Sequence, residues 1–168
     1  MTARKVMLLG EIGVGKSSIV ERLVFDRFDF EYKPTIGVDI YRYDVPPTPA
    51  RPGMSLIIWD TDGNFGDSIF RHVYVREASA ALIVGDLTRR ETLDTMVRIG
   101  HGFHEALPGR HVSLILNKLD LVSAPEALAM EGAMTRPGGD IVKTSAKTGA
   151  NVGHAFLHAA EAIIRRGH

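Results

Sequence analysis

The stretch GEIGVGKSS, positions 10–18, follows directly on the apolar run KVMLLG. Gly10, Gly15, Lys16 and Ser17 carry the spacing G-x-x-x-x-G-K-[ST], and that spacing has a physical use. Glycines let a backbone turn so tightly that successive N–H groups converge on one set of oxygens. A lysine adds a point charge there, and the positive end of a following helix adds a partial one. Glu11, Gly13, Val14, Gly15, Lys16, Ser17 and Ser18 are therefore candidate contacts to a phosphate chain. Lys16 would face its β- and γ-phosphates, and the Ser17 hydroxyl would be a Mg²⁺ ligand. The plain alternative is a glycine-rich turn with no ligand, but an apolar strand pattern before it and a helical pattern after it favour the phosphate. The loop by itself does not separate adenine from guanine nucleotides.

Two later tetrapeptides bear on the base. NKLD (117–120) and TSAK (144–147) each close an apolar run, at the carboxyl end of a predicted strand where an open α/β sheet binds ligands. A carboxylate at Asp120 can accept from both N1–H and the exocyclic amine of guanine, a donor pair adenine lacks. Asn117 can tie neighbouring loops together, the Lys118 stem can lie over the purine, and the Ala146 N–H can donate to O6. Leu121, Ser145 and Lys147 complete this base-side set, and Phe28 can pack edge-on against the ring. WDTDG (59–63) supplies Asp60 for the metal and the Gly63 N–H for a γ-phosphate. Thr35, in FEYKPTIG (30–37), can complete the Mg²⁺ shell when that phosphate is present.

Elements must hold these residues in place. Runs at 5–10, 38–45, 54–60, 78–87, 111–118 and 140–146 read as strands, and 17–28, 68–77, 91–107, 125–134 and 151–166 as helices. Strands that alternate with helices imply a mainly parallel sheet covered on both faces. The adjacent segments 38–45 and 54–60, separated by the proline-rich PPTPARPG, can pair antiparallel. The expected architecture is a three-layer α/β domain with a mixed, mostly parallel, six-stranded sheet, spanning 1–168 as one unit.

Composition narrows the classes further. The 168 residues balance 20 basic against 20 acidic side chains, so no broad electrostatic footprint for nucleic acid is expected. The absence of cysteine excludes disulfides, thiolate catalysis and cysteine-based zinc sites. No apolar run suits a signal peptide or membrane helix, and the ending AIIRRGH carries no prenylation box. A cytoplasmic protein without a direct lipid anchor is the expectation. His154 and His158 stand at i, i+4, and His101 and His104 at i, i+3, but neither pair has a third ligand at matching spacing. Arg89-Arg90 and Arg165-Arg166 read as helix-end or surface pairs, and Trp59 as a core anchor.

GEIGVGKSS, YKPTIGVD, IIWDTDG, NKLD and TSAK stand in the order and spacing of a small GTPase of the Ras superfamily, which the chain resembles over essentially its whole length. TIGVDI, LIIWDTDG and YVREA most resemble the Rab branch. The Arg-, Ala- and Gly-rich composition would suit a prokaryotic relative. The resemblance implies a P-loop G domain that binds GTP or GDP with Mg²⁺ and hydrolyses GTP. It implies two switch loops, here 30–39 and 61–75, that meet effector, exchange-factor and GTPase-activating proteins. Lys16, Thr35, Gly63 and the residue at Asn64 would then be the catalytic set. The chain departs from the pattern where the family has Ala-Gly-Gln and this sequence has Asp62-Gly63-Asn64. Asn64 carries the same amide as Gln on a stem one methylene shorter, and about 1 Å of misplacement can cost roughly 100-fold in rate. Ile12 occupies a position where relatives commonly have a small residue. The expectation is GTP binding with slow intrinsic turnover; the alternative is a nucleotide-bound interaction module with little or no hydrolysis. An ATPase or kinase is disfavoured by NKLD and TSAK.

Overall fold

The computed structural model describes residues 1–31, 35, 37–63, 74–134 and 139–168. In chain order the elements are β1 (Thr2–Gly10), α1 (Lys16–Phe25), β2 (Val38–Val45), β3 (Met54–Thr61), β4 (Ala80–Asp86), α2 (Arg90–Ala106), β5 (His111–Asn117), α3 (Ala124–Gly132), β6 (Asp140–Lys143) and α4 (Val152–Arg166). The strands form one six-stranded sheet in the order β2-β3-β1-β4-β5-β6. Every neighbouring pair is parallel except β2 with β3, as the short connection between those two strands requires.

The two-residue period of the strands sorts the core into two layers. Val6 and Leu8 of β1 join Leu82 and Val84 of β4 against Ile19 and Val20 of α1 and Phe156, Ala159 and Ile163 of α4. Met7 and Leu9 face the other way, with Ala81 and Ile83, against Leu93, Met96 and Phe103 of α2 and Ala127 of α3. Because both faces are covered, the central strands read as unbroken apolar runs rather than alternating ones. After β1 the chain moves first to the β3–β2 side and then to the β4–β6 side. This reversal opens a crevice at the carboxyl ends of the strands, beside the loop that follows β1.

Two expectations are adjusted. β6 ends at Lys143, and the chain leaves the sheet after Thr144, whose N–H still donates to Leu116 of β5 (2.8 Å). There the Ser145 N–H turns to the Ala150 carbonyl (3.1 Å), and the Ser145 carbonyl accepts from Gly149 (2.8 Å). The expected helix over 68–77 lies largely outside the described residues; of its described part, Tyr74 is helical and Val75–Glu77 form a bend and turn.

Candidate functional site

The strand ends open into a cleft of about 550 Å³, a size ordinary for a small-molecule site. One end is built by the loop after β1. Gly15 sits at φ 100°, and a Cβ there would run into the Asn117 side-chain amide, so a glycine is required on both counts. Lys16 is buried, and its ammonium donates to the Gly10 carbonyl (2.7 Å) and the Glu11 carbonyl (2.9 Å). Burial holds its pKa down to about 8, with Asp60 the main opposing charge. A buried ammonium in this state gains from any anion brought beside it.

The Ser17 hydroxyl stands 2.6 Å from the Thr35 hydroxyl and 2.5 Å from Asp60 Oδ2. Asp60 is fully buried, and burial pushes its pKa up to about 6 against the hydrogen bond from Ser17 and the charge of Lys16. Its other oxygen, Oδ1, is buried without a partner among the described residues. A converging set of hydroxyl and carboxylate oxygens, one of them orphaned, fits a hard divalent cation such as Mg²⁺. It would not suit a metal that wants sulfur or imidazole.

At the other end, Asp120 accepts a hydrogen bond from the Ser145 hydroxyl (2.7 Å), which fixes the carboxylate at the cleft wall. Asn117 is the knot expected of it. Its amide donates to the Val14 carbonyl (3.0 Å), while its Oδ1 accepts from Thr144 Oγ1 (3.0 Å) and the Ala146 N–H (3.3 Å). Lys118 donates to the Gly13 carbonyl (3.0 Å) and pairs with Asp86 (2.8 Å), so its stem is stretched along the cleft. Phe28 lines the cleft and meets Phe30 edge-to-face at 5.0 Å.

Gly13, Gly15, Lys16, Ser17, Ser18 and Thr35 line the cleft at the end beside the loop after β1, and Phe28, Asn117, Lys118, Asp120, Leu121, Ala146 and Lys147 line the rest. Gly63 lies with the first group. The other expected residues stand back from the wall. Val14 turns its side chain into the core and offers its backbone. Glu11 contributes its carbonyl to Lys16, and one of its carboxylate oxygens is buried with no partner among the described residues. Ser145 acts through Asp120, and Asp60 through Ser17. Asn64 lies outside the described residues.

Sequence reading missed three supports. Arg22 of α1 donates to the carbonyls of Ala146 (2.8 Å) and Lys147 (2.5 Å), bracing the TSAK loop from 124 and 125 residues away. Asp86, at the end of β4, is a buried carboxylate that gathers Lys118, Thr88 and Arg89. Arg89 stands at a helix end, one of the two expected readings, as the N-cap of α2, and its guanidinium pairs with Asp86 and donates to the Ile12 carbonyl (2.8 Å). Only the position of Asp86 at a strand end, opposite Asn117 in register, hinted at this cluster.

Of the departures noted in the sequence, Ile12 and Asp62 are described, and each meets a neighbouring loop. Gly63 packs so closely on Ile12 that a Cβ at Gly63 would collide with the Ile12 backbone and its Cγ1. The Ile12 side chain thus lies against the residue that precedes Asn64. Asp62 turns toward the other loop: its carboxylate accepts from the Gly37 N–H (3.2 Å), and its own N–H donates to the Gly37 carbonyl (2.9 Å).

At the opposite rim of the sheet one of the i, i+4 histidines, His158, meets His111 and Asp140, and His154 is not part of that group. Donor atoms of His111, Asp140 and His158 lie within 4.8 Å of one another. His158 closes on Asp140 (2.7 Å) and His111 on Ser113 (2.8 Å). Burial pushes the His111 pKa down to about 4, although Asp140 opposes it. These bonds within the fold make the cluster a polar seam between β5, β6 and α4.

A Ras family model matches residues 5–165 of this chain. The chain belongs to the Ras family. Ras-related protein Rab-22A of Canis lupus familiaris is 33% identical over 162 residues, which cover 95% of this chain and 82% of that protein. Ras-related protein Rab-31 of Mus musculus is 36% identical over 155 residues, 90% of this chain and 78% of the relative. The chain is thus a Rab-like small GTPase. No helix among its described residues is long and apolar enough to cross a membrane.

Proposed function

We propose that this small GTPase is a GTP/GDP switch with slow intrinsic turnover, in which 1–168 act as one G domain. The observation that carries the nucleotide assignment is the pairing of two opposed ends in one cleft, a Ser145-fixed carboxylate at Asp120 and the Lys16–Ser17–Thr35–Asp60 group. Asp120 selects guanine by accepting two hydrogen bonds from its Watson–Crick edge, and Phe28 and the Lys118 stem flank the ring. Lys16 and the backbone amides of 13–18 hold the phosphates.

Ser17, Thr35 and Asp60 would hold Mg²⁺, which neutralises phosphate charge as the terminal group leaves. Lys16 supports the same charge. In hydrolysis a water oxygen attacks the γ-phosphorus and the bond to the β–γ bridging oxygen breaks, giving GDP and phosphate. The Gly63 N–H and the Asn64 amide are the groups of this chain that would orient that water. With Ile12 packed on Gly63 and the amide on a short stem, orientation is poor and turnover slow. Residues 30–39 and 61–75 would meet effector, exchange-factor and GTPase-activating proteins, the last of which can supply what the site lacks.

Single-turnover hydrolysis of bound GTP by the purified chain tests this reading. A rate at or below about 10⁻³ s⁻¹, the intrinsic scale of such enzymes, is expected; a much faster rate without a partner refutes slow turnover. Ile12→Gly combined with Asn64→Gln is expected to accelerate it by about tenfold or more. The contact between Ile12 and Gly63 also favours a second reading, an interaction module that scarcely hydrolyses GTP. Stoichiometric GTP in the purified protein, unchanged by cell extract, would support that reading, whereas GDP supports the switch.

A further inference from the structure

The polar cluster at the amino-terminal rim of the sheet draws its donors from three elements. His111 opens β5, Asp140 opens β6, and His158 lies in α4. Strand register brings the first two together: Asp140 pairs with Ser113, which shares a face of β5 with His111 two residues before it. The packing of α4 then adds His158. Its Nε2 stands 2.7 Å from Asp140 Oδ2, and its ring meets that of His111 at 5.7 Å between centroids. One donor atom from each of the three falls within 4.8 Å of the other two, and among the described residues no other trio of His, Asp or Glu does so. We propose that His111, Asp140 and His158 bind a divalent transition-metal ion of the zinc class, at the end of the sheet away from the nucleotide cleft.

The donor set selects the metal. Two imidazoles and a carboxylate suit zinc and its neighbours, whereas Mg²⁺ and Ca²⁺ take oxygen ligands. Arg165 and Arg166, near enough to press on the charge of His111, oppose an ion held by charge alone. Zinc bonds of about 2.0–2.2 Å set tetrahedral donors about 3.3 Å apart, so donors at the 4.8 Å limit must close by about 1.5 Å. Side-chain rotation spans that distance, and Asp140 and His158, 56% and 29% exposed, have room to turn.

His111 supplies the fixed point. It is buried, and its Nε2 sits 2.8 Å from the Ser113 hydroxyl, the kind of outer bond that orients a ligating imidazole. Three protein donors leave a fourth position, which the exposed side of the trio opens to water or to a group from another molecule. His154 stacks on His158 at 6.1 Å but adds no donor to the group. Without an ion, the bond between His158 and Asp140 closes the trio on itself; an ion takes the place of the proton between them. Metal at this rim is independent of what the cleft binds.

Calorimetry on the untagged full chain, stripped by a chelator and then supplied with GDP and Mg²⁺ to fill the cleft, tests the site. Zn²⁺ is expected to bind at one equivalent with a micromolar dissociation constant. Asp140→Asn and His158→Gln, each checked for an unchanged melting temperature without zinc, are expected to weaken it on the order of 100-fold, and His154→Gln to leave it unchanged. In the unmodified chain the ring resonances of His111 and His158 are expected to shift together as zinc is added, a readout that needs no variant to fold. Equal affinity in the unmodified chain and in Asp140→Asn would place the ion elsewhere and overturn the site. So would a loss in His154→Gln as large as that in His158→Gln. Absence of saturable binding by the unmodified chain would overturn it as well, leaving the trio a hydrogen-bonded seam.

Discussion

Asp120 works because of what sits behind it. The Ser145 hydroxyl occupies one lobe of the carboxylate and leaves the rest to the cleft, so that under the proposed function the two residues would divide the task of reading a base. Asp120→Ala should erase the preference for guanosine over adenosine diphosphate, a loss on the order of 100-fold or more by calorimetry, since the N1–H and amine would be desolvated without an acceptor. Ser145→Ala should cost much less, about fivefold in GDP affinity, because the acceptor stays and only its aim is lost. Asp120, Lys16 and Ser17 were legible in the sequence, as each lies in a short contiguous motif whose local geometry suffices for its role. Arg89 and Arg22 were not. Their partners are the backbone carbonyls of residues 77 to 125 positions away, and a carbonyl leaves no signature in a sequence.

Elements carry a different lesson. The strands of the sheet were readable because their apolar runs are long and bounded by glycine or charge. The end of β6 was not, since Thr144 still donates to Leu116 of β5 and only from Ser145 on do the backbone bonds go to a turn. The seam of β5, β6 and α4 was equally hidden, because His111, Asp140 and His158 meet only once the helix is packed. That seam should respond to acid. His111 stays neutral in the fold to about pH 4. In the unfolded chain it takes a proton near its ordinary 6.5, so stability must fall as pH drops through that window. The loss from this group is about 3 kcal/mol. Asp60, raised to about 6, acts in the opposite sense between its ordinary 3.8 and that value, since its folded form holds the extra proton. Denaturant unfolding at pH 7 and at pH 4.5, compared between the unmodified chain and His111→Gln, cancels Asp60. The variant is expected to lose less stability than the parent, and equal losses would contradict the account. In the layer above, Phe156 is fully buried, and Phe156→Ala should cost about 3–5 kcal/mol in the same measurement.

At the scale of the whole molecule, the site is a tax on stability that its ligand refunds. A buried ammonium at Lys16 and a buried carboxylate with an orphaned oxygen at Asp60 are both costly, because desolvation by burial outweighs the charges and hydrogen bonds that favour their ionised forms. A ligand present at about 1,000 times its dissociation constant adds about 4 kcal/mol to the folded state. For a chain of this length that corresponds to roughly 8–16 °C in melting temperature. Thermal unfolding with GDP and Mg²⁺ should show such a rise, and ATP with Mg²⁺ should not.

The ladder between β2 and β3 has one more consequence. Its last rung joins Val38 to Thr61, and just beyond it Gly37 and Asp62 clasp each other through two further bonds. The chain before β2 and the chain after β3 thus leave the sheet from a common buckle, and neither end can peel away without loosening the other. Relaxation there should be a snap between two settings rather than a graded drift. Replacing Asp62 with alanine removes one prong, so the Gly37 amide should exchange its hydrogen with solvent faster while amides deep in β1 keep their protection.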